Sequence, residues 1–361
     1  MASPGGGGSE SVGVNIANRL ADRGWHVDFV CMNLKRKEYL ETISKKVNLV
    51  NLNISRFALS FIPIMFYLKR NKVKNIVSFH YFYSIQLVLQ KFLLGNQFKI
   101  IARNNISLSQ DEKYDFSSNI FKRFIFMIVK FLYPKVDYCI AQCEEMRIDL
   151  IRNYSFKNNK IKVIFNPVNY KIENSYENKK IPKEKFILIV GRLSKQKRHD
   201  VAIKVFSKIK QKFPDFKLKI SGQGQEENFL RQLTKKYGIN NSVEFLGFQK
   251  DLIPLYKRAK LTLMTSRYEG FPNVLIESIT LGTPVVSFNC SSGPSEIIQN
   301  EINGFLVDDG DENMLEKKII KTLGIEWNSQ IIHDSADNFK NKKVIAEYEE
   351  IFNKLVNSNK N

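Results

Sequence analysis

Between residues 186 and 288 the chain alternates between short, continuous apolar runs and longer segments of helical period. No other feature of the sequence constrains the fold as much. FILIVG (186–191), FKLKISG (216–222), VEFLG (243–247), LTLMTS (261–266) and PVVSF (284–288) are strand-length runs bounded by turn residues. Between them, residues 197–213, 226–238 and 272–281 place apolar side chains three and four apart, as amphipathic or buried helices do. Strands that are apolar on both faces need cover on both faces. Helices returning after each strand supply it, so the pattern predicts an α/β domain with a parallel sheet.

The first half repeats this less regularly, with a helix over about 10–23 and strands at 25–32, 73–80, 98–104 and 137–143. Residues 169–185 are polar and lysine-rich and read as a linker, and 361 residues suit two domains. The expected organisation is a Rossmann-like domain over 1–168, a second over 186–339, and an amphipathic helix at 340–357 packing back on the first. The two parallel sheets would face a central cleft. One element is lacking. A domain of this kind opens with a strand before its glycine turn, yet only MASP precedes Gly5-Gly6-Gly7-Gly8. The first strand is therefore expected to be missing, through truncation or a start placed too late.

The formal charge of +20 is uneven. Residues 1–180 carry 28 Lys and Arg against 14 Asp and Glu, and the remainder 28 against 22. Such a surface suits an anionic partner or is simply solvated. No reading motif or aromatic platform points to nucleic acid. Cys31, Cys139, Cys143 and Cys290 fit neither a disulfide framework nor a zinc signature and read as small core residues of a reducing compartment. No metal site is expected. No signal-peptide pattern opens the sequence. The apolar runs 57–68 and 124–134 are too short to span a bilayer and are flanked by Lys and Arg. They read either as core helices with charged ends or as basic amphipathic segments lying on an anionic leaflet.

Ligands of parallel sheets bind beyond the carboxyl ends of the strands. Gly191 ends one strand, and Arg192 and Lys197 follow it as two cations suited to a diphosphate. Gly222 and Gly224 end another, and Phe248 follows Gly247 at a third, reading as a core side chain in preference to a neighbour of a base. In SRYEGFPNVLIESITLGTP (266–284), Pro272 suits a first helical turn and Gly282 with Pro284 its end. Glu269 then lies just before a helix and Glu277 a turn and a half inside it. A carboxylate at each position suits paired hydroxyls, of a sugar at Glu269 and a ribose at Glu277. The N–H groups around Asn273 and Val274 suit a phosphate at the positive helix end. At the amino terminus, Gly8 and its neighbours open a helix in the manner of an anion-binding turn. Each feature alone also has a plainer reading, as a basic loop, an ordinary turn or a buried hydrogen-bonded glutamate.

Taken together, GGSESVGVNIANRLADRGWHV, AQCEEMRIDL, VIFNPVN, GRLSKQK, GQG, Glu269-x7-Glu277, SSGPSEII and NGFLVDDGD resemble glycosyltransferase family 4 in order and spacing over nearly the whole chain. That family comprises retaining nucleotide-sugar glycosyltransferases of GT-B fold. The resemblance implies that Arg192 and Lys197 hold the donor diphosphate and steady the leaving group. Glu269 would stand beside the donor sugar, with Gly270 and Phe271 offering backbone N–H groups. Glu277 would bind the ribose, and Gly8 would approach the diphosphate from the first domain. With Gly191, Gly222, Pro272, Asn273 and Val274 these make the expected donor site. The pattern departs where relatives often carry a histidine after the strand 98–104: this chain has Asn104, with His80 as another acceptor-side candidate. No cofactor or metal is implied.

The resemblance is to enzymes of bacterial surface polysaccharide assembly. It implies a UDP-hexose or UDP-N-acetylhexosamine donor, with GDP-sugars left open, and a polyprenyl-diphosphate-linked glycan acceptor. It also implies a cytoplasmic protein held on the anionic inner face of the inner membrane. The rival readings are an inactive GT-B scaffold and a GT-B nucleotide-sugar epimerase.

Overall fold

The computed structural model describes residues 1, 3–5, 7–95, 98–113, 120–177 and 181–357, with the backbone alone at 120–123, 356 and 357. Gly6 of the glycine turn and residues 178–180 of the expected linker lie outside the described residues. The chain forms two compact units, Met1–Asn169 with Asn341–Asn361, and Tyr170–Lys340.

The first unit runs α1 (Gly8–Asp22), β1 (Asp28–Cys31), β2 (Asn48–Asn51), α2 (Phe61–Asn71), β3 (Asn75–Ser78), α3 (Tyr81–Leu93), β4 (Lys99–Arg103), α4 (Leu108–Asp111), α5 (Ile120–Leu132), β5 (Tyr138–Ala141), α6 (Glu144–Tyr154) and β6 (Ile161–Val163). The strands form two parallel sheets, β1-β2 and β3-β4-β5-β6. α1 serves both. Val12, Ile16 and Leu20, four apart, join Ile101, Ile140 and Ile164 of the larger sheet region. Val14, Ala17 and Ala21 meet Phe29, Cys31 and Val47 beside the smaller sheet. Among the described residues no strand precedes α1. Met1 instead meets β1 directly: its amino group donates to the Val30 carbonyl at 2.8 Å, and the Met32 N–H donates to its carbonyl at 3.0 Å. An apolar cavity of about 630 Å³ lies between the two sheets, lined by Met1, Ile16, Val30, Val77 and Phe352 among others.

The second unit begins with a helical turn, α7 (Tyr170–Glu173), inside the expected linker and packed against α11. It continues β7 (Phe186–Val190), α8 (His199–Lys212), β8 (Lys217–Ser221), α9 (Glu227–Lys236), β9 (Val243–Gly247), α10 (Ile253–Arg258), β10 (Leu261–Met264), α11 (Asn273–Thr280), β11 (Val285–Asn289), α12 (Pro294–Ile297), β12 (Gly304–Asp308), α13 (Glu312–Gly324) and α14 (Ser329–Asp334). Its six parallel strands stand in the order β12-β11-β10-β7-β8-β9. Ile187, Leu218, Leu261 and Val286 are buried at the centre, with Phe206 and Ile209 of α8 and Leu315 and Ile319 of α13. All four cysteines are buried, and none forms a disulfide. β2, β6 and β12 were not expected from the sequence. β6 has only three residues, β2 is polar at both ends, and β12 starts with a glycine and ends with an aspartate, so no sustained apolar pattern marks them.

The last helix, α15 (Asn341–Asn357), belongs to the first unit. Val344, Ile345, Tyr348, Ile351, Phe352 and Leu355 complete the core around α1. Asn15 donates to Val168 O at 2.9 Å and to Asn341 Oδ1 at 3.0 Å. Trp25 donates to Glu349 at 3.0 Å and meets Phe352 edge-on, with centroids 5.2 Å apart. The buried guanidinium of Arg103 donates to the Tyr348 hydroxyl at 2.7 Å and to Asn105 and Asn166.

Candidate active site

In the second unit the carboxyl ends of β7 and β8 lead into loops that nearly touch. Gly191 N donates to Ser221 O at 2.9 Å, Leu193 N to Gln223 O at 3.0 Å, and Gly222 N to Gly247 O at 2.8 Å. A Cβ on Gly222 would stand 1.8 Å from the Gly191 carbonyl oxygen, and one on Gly224 would stand 2.2 Å from that of Leu193. Gly222 also holds φ at +149°. These glycines are therefore required by backbone crossing backbone, which exposes bare peptide at the sheet edge.

Lys197 and Glu269 meet beside this crossing. The ammonium lies 2.5 Å from Glu269 Oε1, and Glu269 is 7% exposed. The loop carrying Lys197 is pinned to the loop carrying Glu269. The Thr265 hydroxyl donates to the carbonyls of Lys197 and Arg198, at 3.0 and 2.9 Å. Arg267 N donates to Gln196 O at 2.8 Å, and Gln196 Nε2 donates to Tyr268 O at 2.8 Å. Glu269 N donates to Ser291 O at 3.2 Å. Gly293, at φ +106°, would place a Cβ 2.6 Å from the Phe271 ring, so the SSGPSEII turn closes on Phe271 and Pro272 only because a glycine stands there. Arg192 is exposed, and its guanidinium has no partner among the described residues.

α11 starts after Pro272, whose ring makes no side-chain capping hydrogen bond. Inside it, Glu277 accepts a hydrogen bond from the buried Tyr256 hydroxyl at 2.9 Å. Burial pushes its carboxyl up to about 7, against the lowering effect of that hydrogen bond. Cys290 has its thiol raised by burial and then by Glu269, and stays neutral. Among the described residues no three His, Cys, Asp or Glu side chains gather as a metal site.

The second unit thus brings Gly191, Lys197, Gly222 and Glu269 to one sheet edge, with Gly270, Phe271, Pro272, Asn273 and Val274 running from Glu269 into α11. Sequence reading missed Tyr256, Thr265 and Gln196, which hold these groups in place. Tyr256 lies in an ordinary helical pattern, and Thr265 and Gln196 act through backbone contacts that no spacing reveals. Phe248, expected in the core, is instead 54% exposed, because β9 ends at Gly247 with φ +66° and the chain turns outward.

The acceptor-side candidates belong to the first unit. Asn104 is 1% exposed; it donates to Ile106 O at 2.9 Å and accepts from the Tyr133 hydroxyl at 3.2 Å, so both ends of its amide are engaged within the fold. His80 is exposed at the start of α3, where its Nδ1 accepts from Phe82 N at 3.3 Å and its ring stacks on Tyr81. Gly8 opens α1 behind Gly7, and Glu10 supplies an acidic side chain to that first turn.

Two family models divide the chain between them: Glycosyltransferase Family 4 over residues 6–171, and Glycosyl transferases group 1 over residues 171–342. An uncharacterized glycosyltransferase of Haemophilus influenzae is 28% identical over 324 residues, 87% of this chain and 85% of that protein. The N-acetylgalactosamine-N,N'-diacetylbacillosaminyl-diphospho-undecaprenol 4-alpha-N-acetylgalactosaminyltransferase of Campylobacter jejuni is 29% identical over 231 residues, 63% of this chain and 61% of that one. Among solved structures, Anabaena HepE in complex with UDP and glucose superimposes with a TM-score of 0.77 at 19% identity, covering 98% of each chain. The architecture is that of the GT-B structures, and the chain belongs to the glycosyltransferases built from a family 4 domain followed by a group 1 domain.

Proposed function

We propose that the chain is a retaining, metal-independent glycosyltransferase. It would transfer a hexose or N-acetylhexosamine from UDP to a polyprenyl-diphosphate-linked glycan during bacterial surface polysaccharide assembly. The observation that carries this reading is the Lys197–Glu269 pair beside the glycine crossing at Gly191 and Gly222. It combines a cation for a leaving diphosphate, a carboxylate for sugar hydroxyls and backbone close enough to line both. The UDP complex of a protein of the same fold supports a UDP donor. The Campylobacter relative, named for an undecaprenol-diphosphate acceptor, supports a lipid-linked one.

In this reading the bond from the sugar's anomeric carbon to phosphate breaks first, leaving an oxocarbenium-like sugar and a diphosphate that gathers negative charge. Lys197, the exposed Arg192 and the N-terminus of α11 stabilise that charge as it develops. The acceptor hydroxyl attacks from the face the phosphate leaves, and its proton passes to the departing phosphate oxygen. The new bond therefore keeps the anomeric configuration, and no enzymic nucleophile is used. Glu269 orients the sugar, Glu277 accepts from the ribose hydroxyls, and Gly8, at the start of α1, would offer its backbone to an anion. The reaction needs neither a metal nor a cofactor, because the two cations and the helix end supply the positive charge.

Calorimetry with UDP, GDP and CMP on the wild type and on Glu277→Ala tests the donor half. UDP binding weakened at least about tenfold by the substitution is expected, corresponding to loss of charge-assisted hydrogen bonds. A folded chain that binds no nucleotide would sink the transferase reading.

A further inference from the structure

Three helices of the first unit share an exposed apolar surface that neither its core nor the candidate site uses. Of the eighteen large hydrophobic side chains exposed among the described residues, eleven stand on α2, its preceding turn 57–60, α3 and α5. α3 packs between α2 and α5. On the inward side the Ser60 hydroxyl donates to Gln86 at 2.9 Å, Gln90 donates to Phe61 O at 2.5 Å, and Tyr81 meets Phe126 at 6.1 Å between centroids.

The outward side is apolar too. Ile62 and Phe66 stand one turn apart on α2, and Phe92 and Leu93 end α3. On α5, Phe124, Met127, Ile128 and Phe131 form an exposed stripe at helical spacing, while Phe126 and Val129 are buried. Phe66, Phe92 and Phe131 are 65%, 66% and 68% exposed. The surface runs from α3 to α5: the Lys135 ammonium lies 3.9 Å from the Phe131 ring centroid and 6.0 Å from that of Phe92. A contiguous patch of this kind marks an interaction site, not scattered surface apolarity.

Its charge identifies the partner. From residue 42 to 110 the sequence holds ten Lys and Arg and no Asp or Glu, and from 116 to 136 it again holds no Asp or Glu. The segments that carry the apolar side chains therefore carry only positive charge, with Lys69, Arg70 and Lys135 exposed. No helix among the described residues is long and apolar enough to cross a membrane. Lys91 and Lys130 are paired with Asp137 and Glu112, but apolar side chains rimmed by the exposed Lys69, Arg70 and Lys135 on short helices match a surface that is oily beneath and anionic above.

We propose that this three-helix surface docks the chain on an anionic lipid bilayer. Phe66, Phe92, Met127 and Phe131 enter the acyl boundary, and Lys69, Arg70 and Lys135 meet lipid phosphates. Docking stands on the exposed residues themselves. What it serves, access to a lipid-linked acceptor, rests on the transferase reading.

Co-sedimentation with vesicles of phosphatidylcholine, and of phosphatidylcholine mixed with phosphatidylglycerol, tests it. The wild-type chain should bind the mixed vesicles, and salt should weaken that binding. Phe92→Asp with Phe131→Asp should weaken it at least about tenfold, as should Lys69→Glu with Arg70→Glu. These side chains are exposed, so the melting temperature should be unchanged. In a Phe131→Trp variant, brominated lipid should quench the indole. UDP calorimetry on the same samples separates this question from the donor site: binding UDP but not vesicles overturns docking alone, and the reverse overturns the transferase reading alone. Docking is also overturned if the double variants bind vesicles as the wild type does. It is overturned equally if the wild type ignores vesicles and self-associates through contacts that Phe92→Asp breaks, which would make the surface an interface between copies.

Discussion

At the scale of single residues, Glu277 is the clearest case of environment rewriting chemistry. Its carboxyl is held up at about 7, against an ordinary 4.5, by burial. The folded state thus binds this proton more tightly than the unfolded chain does. The stability this group contributes is full below about pH 4.5 and declines as pH rises to about 7, by on the order of 3 kcal/mol. Glu277→Gln should remove that slope and raise the melting temperature above pH 7, as denaturation at a series of pH values would show. If Glu277 also takes ribose hydroxyls, UDP affinity in the wild type should rise through the same window, and in Glu277→Gln it should not. Gly222 makes the opposite point, since here geometry alone decides. Its missing Cβ would stand 1.8 Å from a carbonyl oxygen. Gly222→Ala should cost on the order of 3–5 kcal/mol, measured by urea unfolding of the second unit.

At the scale of elements, what could be read depended on length and period. β7 to β11 were legible because each is an apolar or alternating run between helices of clear period. β12 was not, although it is fully paired with β11 from Gly304 to Asp308. Its five residues follow a loop, and its glycine lowers strand propensity. That glycine is needed because a Cβ there would meet Val285 O at 1.9 Å. Pairing, not propensity, makes this strand. The helix that follows it is secured locally: Asp311 caps α13, accepting from Met314 N at 2.8 Å. Asp311→Ala should cost about 1 kcal/mol in thermal or urea unfolding. The candidate site was legible at Glu269, Lys197 and the glycines, whose residue types and spacing are distinctive. Tyr256 and Thr265 were not, because a tyrosine in an amphipathic helix and a threonine past a strand are common wherever proteins fold.

At the scale of the molecule, the last helix is the revealing element. α15 follows the second unit in sequence and belongs to the first. It brings six large apolar side chains to the core around α1 and holds the buried Arg103 through Tyr348. Each such side chain contributes about 1.5–3 kcal/mol by burial. Together they rival the roughly 5–15 kcal/mol by which a whole domain is stable. A chain ending at Lys340 should therefore lose the first unit while the second stays folded. Hydrogen exchange would report this as rapid labelling of 7–169 with protection kept in 186–324. If 7–169 stayed protected, α15 would be an accessory and not part of that core.

The sequence by itself determined the class of fold, because continuous apolar strands separated by amphipathic helices have few other ways to bury their faces. It also determined where glycines, cations and carboxylates gather beyond strand ends, because these residue types are visible as letters. Only the tertiary structure decided that Lys197 and Glu269 pair, that Glu277 keeps its proton to about 7, that Asn104 is engaged within the fold, and that three separate helices present one apolar surface. Each of these depends on groups distant in sequence and close in space. Distance and dielectric set their energies, and neither is written in local order.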